Sequence, residues 1–337
     1  GLREGSTRLE VALRTNHRED ITLATEKLHG LFDQAAPRPR LASLRENTEV
    51  ILVALVIALG VRSYFLQPFK IPTGSMQPTL YGVTGTRTVE PPPAWPLRVA
   101  EFILRGRTYI DVSAENDDSV IGLREVTRFH FFTSTEIITR TRTYTVSAPL
   151  NVVRTDFQIH PGRTLRSGQP IVRGYAESGD QLFVDKVSYN FVRPKPGDVF
   201  VFRTTGIRRI ESGIPPGMGS QYYIKRLAAV GGQTLQIRPP DLYVDGKVSS
   251  LPVFRRVMSS QDGYEGYSNT SAGGGPFPIL GSPQAEYTVP RGSYFALGDN
   301  SYHSSDSRYF GPVPEKNVVG RGLVVYWPFV GRWGLIN

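Results

Sequence analysis

The apolar run Val50–Val61, VILVALVIALGV, is the feature that most limits how this chain can fold. It carries no charge, and its apolar residues surround a helix on every side through the first three turns. A twelve-residue helix rises about 18 Å, short of a ~30 Å hydrocarbon core. Extension to Gln67 reaches about 27 Å, with Arg62 snorkelling to the interface or finding a partner. Residues 48–67 are therefore expected to form one transmembrane anchor; the competing reading is a buried core helix. The 49 residues ahead of the run are too many for the n-region of a cleavable signal peptide. A retained anchor is expected, although Ala58–Gly60 resembles a cleavage site. Arg38, Arg40 and Arg45 precede the run, which by the positive-inside rule leaves residues 1–47 in the cytoplasm and the chain after Phe69 outside.

Beyond the run the texture turns to β. Val, Thr, Tyr and Phe alternate with polar residues over 129–147, 181–191, 198–203, 222–230 and 322–327. Asp241–Val248, DLYVDGKV, holds an Asp-Gly pair between apolar residues, a hairpin signal. Helical spacing is scarce after residue 70. Ahead of the run, Ile21, Ala24, Leu28, Leu31 and Phe32 predict one amphipathic helix ending near His29–Gly30 or shortly after, followed by a linker at Ala36–Arg40. The fold class expected is mostly β: an antiparallel domain after one N-terminal membrane helix. The Gly-, Ser- and Pro-rich stretch 261–283 is expected to be a mobile loop. PPPAWP at 91–96 opens an extra β-rich segment reaching 175. The domains expected are thus 1–47, 48–67, 68–90 joined with 176–337, and 91–175.

A chain of 337 residues that is 39% hydrophobic and 20% charged has enough apolar material for a packed core. The absence of cysteine excludes a disulfide framework, a cysteine nucleophile and a thiolate metal site. A net charge of +9 raises nucleic acid as a partner. The arginines are scattered, no nucleic-acid motif accompanies them, and no nucleic acid is expected.

GxSxG, P-loop and HExxH motifs are absent. The histidines His17, His29, His130, His160 and His303 are far apart, which leaves a histidine-activated serine open but unsupported. The serine that stands out is Ser75, in KIPTGSMQPTL, bracketed by Pro72 and Pro78 directly after the apolar run. Proline narrows the freedom of such a turn, which suits a fixed nucleophile as well as a plain turn. The other way to activate a serine is a neutral lysine. Burial lowers a lysine pKa because it penalises the charged form, so such a base belongs in an apolar stretch. Lys225 lies in one, YYIKRLAAV, with Tyr223 and Leu227 at the alternate positions of a strand. A solvent-facing strand lysine is the commoner arrangement, and the residues alone leave both readings open.

Together these segments resemble the bacterial type I signal peptidases. IPTGSMQPTL follows a single anchor, and GDQLFVDKVSYNFVRPKPGDVFVFR, YYIKRLAAVGG and GDNSYHSSDSRYFGPVP follow in that family's order. The resemblance covers the anchor, residues 64–81 and most of 179–327. It implies a serine endopeptidase of the bacterial plasma membrane, with no metal or organic cofactor, that removes signal peptides from exported preproteins after Ala-x-Ala. It implies signal peptides, membrane lipid and the secretion translocase as partners. Carried over by motif, Ser75 is the nucleophile and Lys225 the general base. Ser304 orients the lysine by a hydrogen bond. Thr73 and the Ser75 N–H form the oxyanion hole. Ile71, Pro72, Leu80, Tyr223 and Ile224 line shallow substrate pockets, and Asp299, Asp306 and Arg308 support the site. Threonine at 73 departs from the serine of many members. The gap of about a hundred residues between TGSMQPTL and GDQLFVDK marks 91–175 as an insertion of unknown role. His303 is read as a loop residue. Two other classes stay in view: a self-cleaving Ser/Lys repressor-type peptidase, which would have no anchor, and a non-enzymatic anchored β scaffold.

Overall fold

The computed structural model describes residues 1–15, 17–35, 42–128, 132–213 and 220–336. The expected linker 36–40, with Arg38 and Arg40, lies outside the described residues, as does His130. The chain divides into two compact units, Gly1–Val61 and Arg62–Asn337.

In the first unit, helices α1 (Leu2–Thr15) and α2 (Arg18–Ala35) pack against each other. Gly5 is buried at their contact, where a Cβ would lie 2.8 Å from Leu28 Cδ1. The sequence pattern anticipates only α2, which continues through Gly30 to Ala35, directly before the expected linker. Helix α1 has few apolar residues. Its i,i+4 pairs Glu4–Arg8 and Glu10–Arg14 support it instead.

Helix α3 (Ala42–Tyr64) contains the apolar run. Among the described residues no helix is long and apolar enough to cross a membrane. In α3 the uncharged stretch is bounded by Glu49 and Arg62, which leaves it about 18 Å long. Its apolar side chains nonetheless point outward, Val50 and Val56 each being 68% exposed.

The second unit is built on an antiparallel sheet of eight strands among the described residues. The strands run in the order Leu66–Lys70, Gln181–Asp185, Val318–Trp327, Val199–Arg203, Tyr222–Val230, Ser293–Leu297 and Val313–Pro314, with Gly334–Leu335 added on Val318–Trp327. Val199–Arg203 is apolar at successive positions because both faces are covered. Phe200 and Phe202 pack with Leu227, Tyr294 and Phe310 on one side. Val199 and Val201 pack with Ile71, Met76, Leu80, Leu182 and Val184 on the other. Mostly antiparallel β structure agrees with the expected fold class, and strand 222–230 lies where its alternation puts it. Segment 181–191 is shorter in strand than its pattern suggests, passing at Ser188 into a 3-10 turn.

Two further bodies of structure stand on this sheet. Thr234–Arg238, the hairpin Asp241–Val244 and Lys247–Val248, and Glu286–Thr288 form a four-stranded sheet. Its turn is at Asp245–Gly246, both with positive φ. Stretch 261–283, expected as a mobile loop, is irregular but largely packed. Tyr267 and Ser268 are 1% and 2% exposed, and the Asn269 amide donates to Ile237 O and Leu280 O. Its glycines allow tight turns, while its tyrosines enter the core beside Phe254 and Leu280. Residues 83–177 surround a core of their own, including Ile110, Ile137, Val152, Phe157 and Val172. Their strands form sheets of three and four. Helix α4 (Trp95–Arg105) lies in this part, where the sequence pattern predicts only β texture.

Candidate active site

The first sheet strand ends at Lys70, and the chain turns through residues 71–80 before the next strand begins at Thr84. Asp180 staples both ends of this turn. The Ile71 N–H donates to Asp180 O at 2.9 Å, the Asp180 N–H to Tyr81 O at 2.9 Å, and the Tyr81 N–H to Asp180 Oδ2 at 2.7 Å. Arg332 neutralises the buried carboxylate with two bonds of 2.9 Å. Gly179 lies so close that a Cβ there would fall 1.8 Å from Ile71 O.

Ser75 sits on this turn, 7% exposed. Lys225 Nζ donates to Ser75 Oγ at 2.6 Å and to Ile224 O at 3.0 Å. The lysine shares its strand face with Tyr223, whose ring centroid is 5.5 Å from Nζ. It is 4% exposed, and burial lowers its pKa from 10.5 to about 8, against the raising pull of Asp306 and Asp299. A lysine in that range has a substantial neutral fraction near pH 8 and can take a proton from the hydroxyl it touches.

The segment after strand Ser293–Leu297 holds the turn from the other side. Asn300 donates its backbone N–H to Ser75 O at 3.2 Å and its side-chain amide to Gly74 O at 3.0 Å. Gly298 must be glycine, because a Cβ would lie 2.4 Å from Ser75 O and 2.1 Å from Ser304 Oγ. Asp299 accepts two bonds from Arg226, 2.8 and 2.6 Å, and one from Thr79 Oγ1 at 2.5 Å. Asp306 accepts from Arg308 Nε and Nη2 at 2.9 and 2.7 Å and from the Gly298 N–H at 3.0 Å. Arg308 also binds Ser268 O, Ser301 O and Ser301 Oγ, each at 2.7 Å, so its fork is filled.

The expected residues are not all placed as their motifs imply. Ser304 is buried near Ser75, but its Oγ has no hydrogen-bond partner. The expected bond to Lys225 is absent: Lys225 Nζ donates to Ser75 Oγ and Ile224 O, and Ser304 Oγ takes no part. Ile71 and Leu80, expected in open pockets, are 3% and 1% exposed and belong to the core under the turn. Pro72 and Thr73 are exposed beside Ser75, and Tyr223 and Ile224 are half-buried. His303 is exposed, and its N–H donates to Asn300 O. Among the described residues no cluster of three His, Asp or Glu is placed to hold a metal ion. Sequence reasoning missed Asp180, Asn300, Arg226 and Thr79. Asp180 follows Gly179 in GDQ and Asn300 follows Gly298-Asp299 in GDN, a turn signal that does not reveal what the turn holds.

The family model "Signal peptidase, peptidase S26" matches residues 172–327. This range holds Lys225, Asp299, Ser304, Asp306 and Arg308 and leaves Ser75 outside. "Probable signal peptidase I-1" of Synechocystis sp. is 34% identical over 164 residues, 48% of this chain and 68% of that protein. This chain belongs to the signal peptidase I family. "Signal peptidase I V" of Bacillus subtilis is 31% identical over 144 residues, 43% of this chain and 73% of that one. "Probable signal peptidase I" of Mycobacterium leprae is 35% identical over 196 residues, 46% of this chain; the match spans 63% of that relative's length. In signal peptidase terms, the Lys225 strand and the Asp299–Arg308 segment fall inside the shared region, whereas α4 and most of residues 83–177 fall outside the family-model match.

Proposed function

We propose that this chain is a membrane-anchored serine endopeptidase that removes signal peptides from exported preproteins, with Ser75 as nucleophile and Lys225 as general base. The observation that carries the proposal is the 2.6 Å contact between Lys225 Nζ and Ser75 Oγ in a buried, pKa-lowering setting. Neutral Lys225 accepts the hydroxyl proton as Oγ attacks the scissile carbonyl carbon. The Thr73 hydroxyl and the Ser75 N–H serve as donors to the resulting oxyanion in this reading, each worth about 3–4 kcal/mol in the transition state. The tetrahedral intermediate collapses, the peptide C–N bond breaks, and protonated Lys225 gives its proton to the leaving amine of the mature protein. Water then attacks the acyl-enzyme, losing a proton to Lys225. Ser75 Oγ leaves and recovers that proton, freeing the signal peptide carboxylate.

Specificity for small residues, as in Ala-x-Ala, follows from the surface left beside Ser75. Pro72, Tyr223 and Ile224 supply its walls, and the packed Ile71 and Leu80 behind them prevent it from deepening. The half-buried side chains and the stapled turn disfavour larger groups. Residues 91–175 form an inserted β-rich subdomain. Helix α3 anchors the chain in the bacterial plasma membrane, with residues 1–47 cytoplasmic and the peptidase outside. Arg62 at its end reaches the interface, and a locally thinned bilayer accommodates the short apolar length. The secretion translocase is the natural source of substrate.

The test is cleavage of a preprotein with an Ala-x-Ala site by the full chain in lipid. Ser75→Ala and Lys225→Ala should each abolish it; substantial cleavage by either variant would remove the dyad.

A further inference from the structure

Helix α4 is amphipathic, but the carboxylate of its polar side is turned inward while Arg98 and Arg105 stay exposed. Glu101 accepts from Tyr109 OH and from Arg107, which also binds Glu177. None of the helix's residues is buried. With about 3.6 residues per turn, Val99 and Ile103 lie across the helix from Glu101. Trp95 is 69% exposed, and Ile103 and Leu104 are each 54% exposed. A surface helix that hides its carboxylate and presents its apolar side outward is built for an apolar phase, not for water.

The helix does not stand alone. Trp327 packs edge-on against Phe102 and donates its indole N–H to Ile103 O at 2.7 Å. The Phe329 N–H donates to Leu104 O at 2.9 Å. Phe329 and Trp333, with ring centroids 6.4 Å apart, are both more than half exposed. The apolar side of α4 thus continues onto the C-terminal segment. Trp95, Arg98, Val99 and Phe102 also share a hollow of about 860 Å³ with Lys70 and Pro72, at the start of the Ser75 turn.

We infer that α4 lies in the plane of an anionic lipid surface, as an interfacial foot that sets the Ser75 turn at the bilayer. The exposed apolar arc runs from Trp95 through Ile103 to Leu97 and Leu104, more than half the circumference. A groove on another protein covers one stripe of a helix, whereas lipid envelops both flanks. Arg98 and Arg105 border the arc and are exposed, placed to meet lipid phosphate, and tryptophan is at home at this depth. At eleven residues, about 16 Å long, α4 lies in an interface without crossing it.

The chain has no cysteine, so single-cysteine variants report one site each. Full-length Ile103→Cys and Leu104→Cys proteins, nitroxide-labelled, are compared with Val248→Cys on a distant hairpin in vesicles of phosphatidylglycerol and phosphatidylcholine. On moving from detergent-free solution, or from mild detergent, into vesicles, labels at 103 and 104 should gain collisions with oxygen. They should lose collisions with a water-soluble nickel chelate at least threefold, while the label at 248 keeps its chelate access. Labels at 103 and 104 as open to the chelate as that at 248 would overturn the proposal. Protection from both probes would overturn it too, because it would mean contact with protein. Vesicle flotation of the same samples reports α3 anchoring separately. A chain that floats with chelate-exposed α4 labels refutes the foot and leaves the anchor standing. Preprotein cleavage by Ile103→Gln/Leu104→Gln in detergent should match the unaltered protein and fall only in vesicles. Equal activity in both settings would separate α4 from substrate delivery and overturn its placing role.

Discussion

Arg226 grips Asp299 through two parallel hydrogen bonds of 2.8 and 2.6 Å, with the two side chains 2% and 0% exposed. The pair ties the Lys225 strand to the segment that clamps Ser75. Its third guanidinium bond goes to Gly197 O. Removing one partner strands a buried charge, so Asp299→Ala should destabilise the protein by about 3–5 kcal/mol. The double variant Arg226→Met/Asp299→Leu should recover part of that loss. Urea unfolding of the full chain in detergent measures both, and an unchanged midpoint for Asp299→Ala would contradict the burial argument.

Asn300 holds the nucleophile's turn from its backbone and its side chain at once. Asn300→Ala keeps the backbone bond to Ser75 O and loses the amide bond to Gly74 O. A loosened turn misplaces Oγ without opening the substrate surface. The expected result is a fall in kcat of roughly tenfold to a hundredfold with KM nearly unchanged. A rise in KM at constant kcat would assign Asn300 to substrate binding instead.

Lys225 must be neutral to act as a base, and burial holds its pKa at about 8. Preprotein cleavage should therefore fall on acidification, kcat/KM dropping about tenfold per pH unit below that value. A limb centred near 10 would point to a solvated lysine, and a limb near 6.5 to a histidine base.

The same shift carries a stability signature. The folded Lys225 pKa is depressed from 10.5 to about 8, so between those pH values the unfolded chain binds more protons than the folded one. Stability should rise with pH through that window, by about 3 kcal/mol at most, and the charged lysine is a burden below it. Lys225→Met should remove this slope and be more stable than the unaltered chain at pH 7. Unfolding midpoints from pH 6 to 10 for both proteins, subtracted, isolate the lysine. A difference flat with pH would contradict the burial-driven shift.

Some of the site is legible residue by residue. A serine between prolines after an apolar run, and a lysine inside YYIKRLAAV, are local patterns, and the β-branched and aromatic texture of 198–203 and 222–230 announces strands. The packed state of 261–283 was not legible, because Gly, Ser and Pro describe turns and say nothing of the tyrosines' neighbours. Ser304 is similar: its motif implies a partner, and only its surroundings reveal an unpaired hydroxyl.

By itself the sequence determined that strands form within 198–203, 222–230 and 322–327, where the apolar run lies, and that Ser75 and Lys225 occupy a stiff turn and an apolar strand. These are properties of neighbours along the chain. Tertiary structure alone decided that residues 150 positions apart meet at 2.6 Å, that Asp180 and Asn300 clamp the turn between them, and that Ile71 and Leu80 are core. It also decided which way α4 faces. Its wheel of apolar and polar residues is written in WPLRVAEFILR, but whether Glu101 meets water or Arg107 depends on a strand that follows it and a sheet it packs against. Periodicity specifies a helix's two sides; the contacts made by the rest of the chain choose which one is left outside.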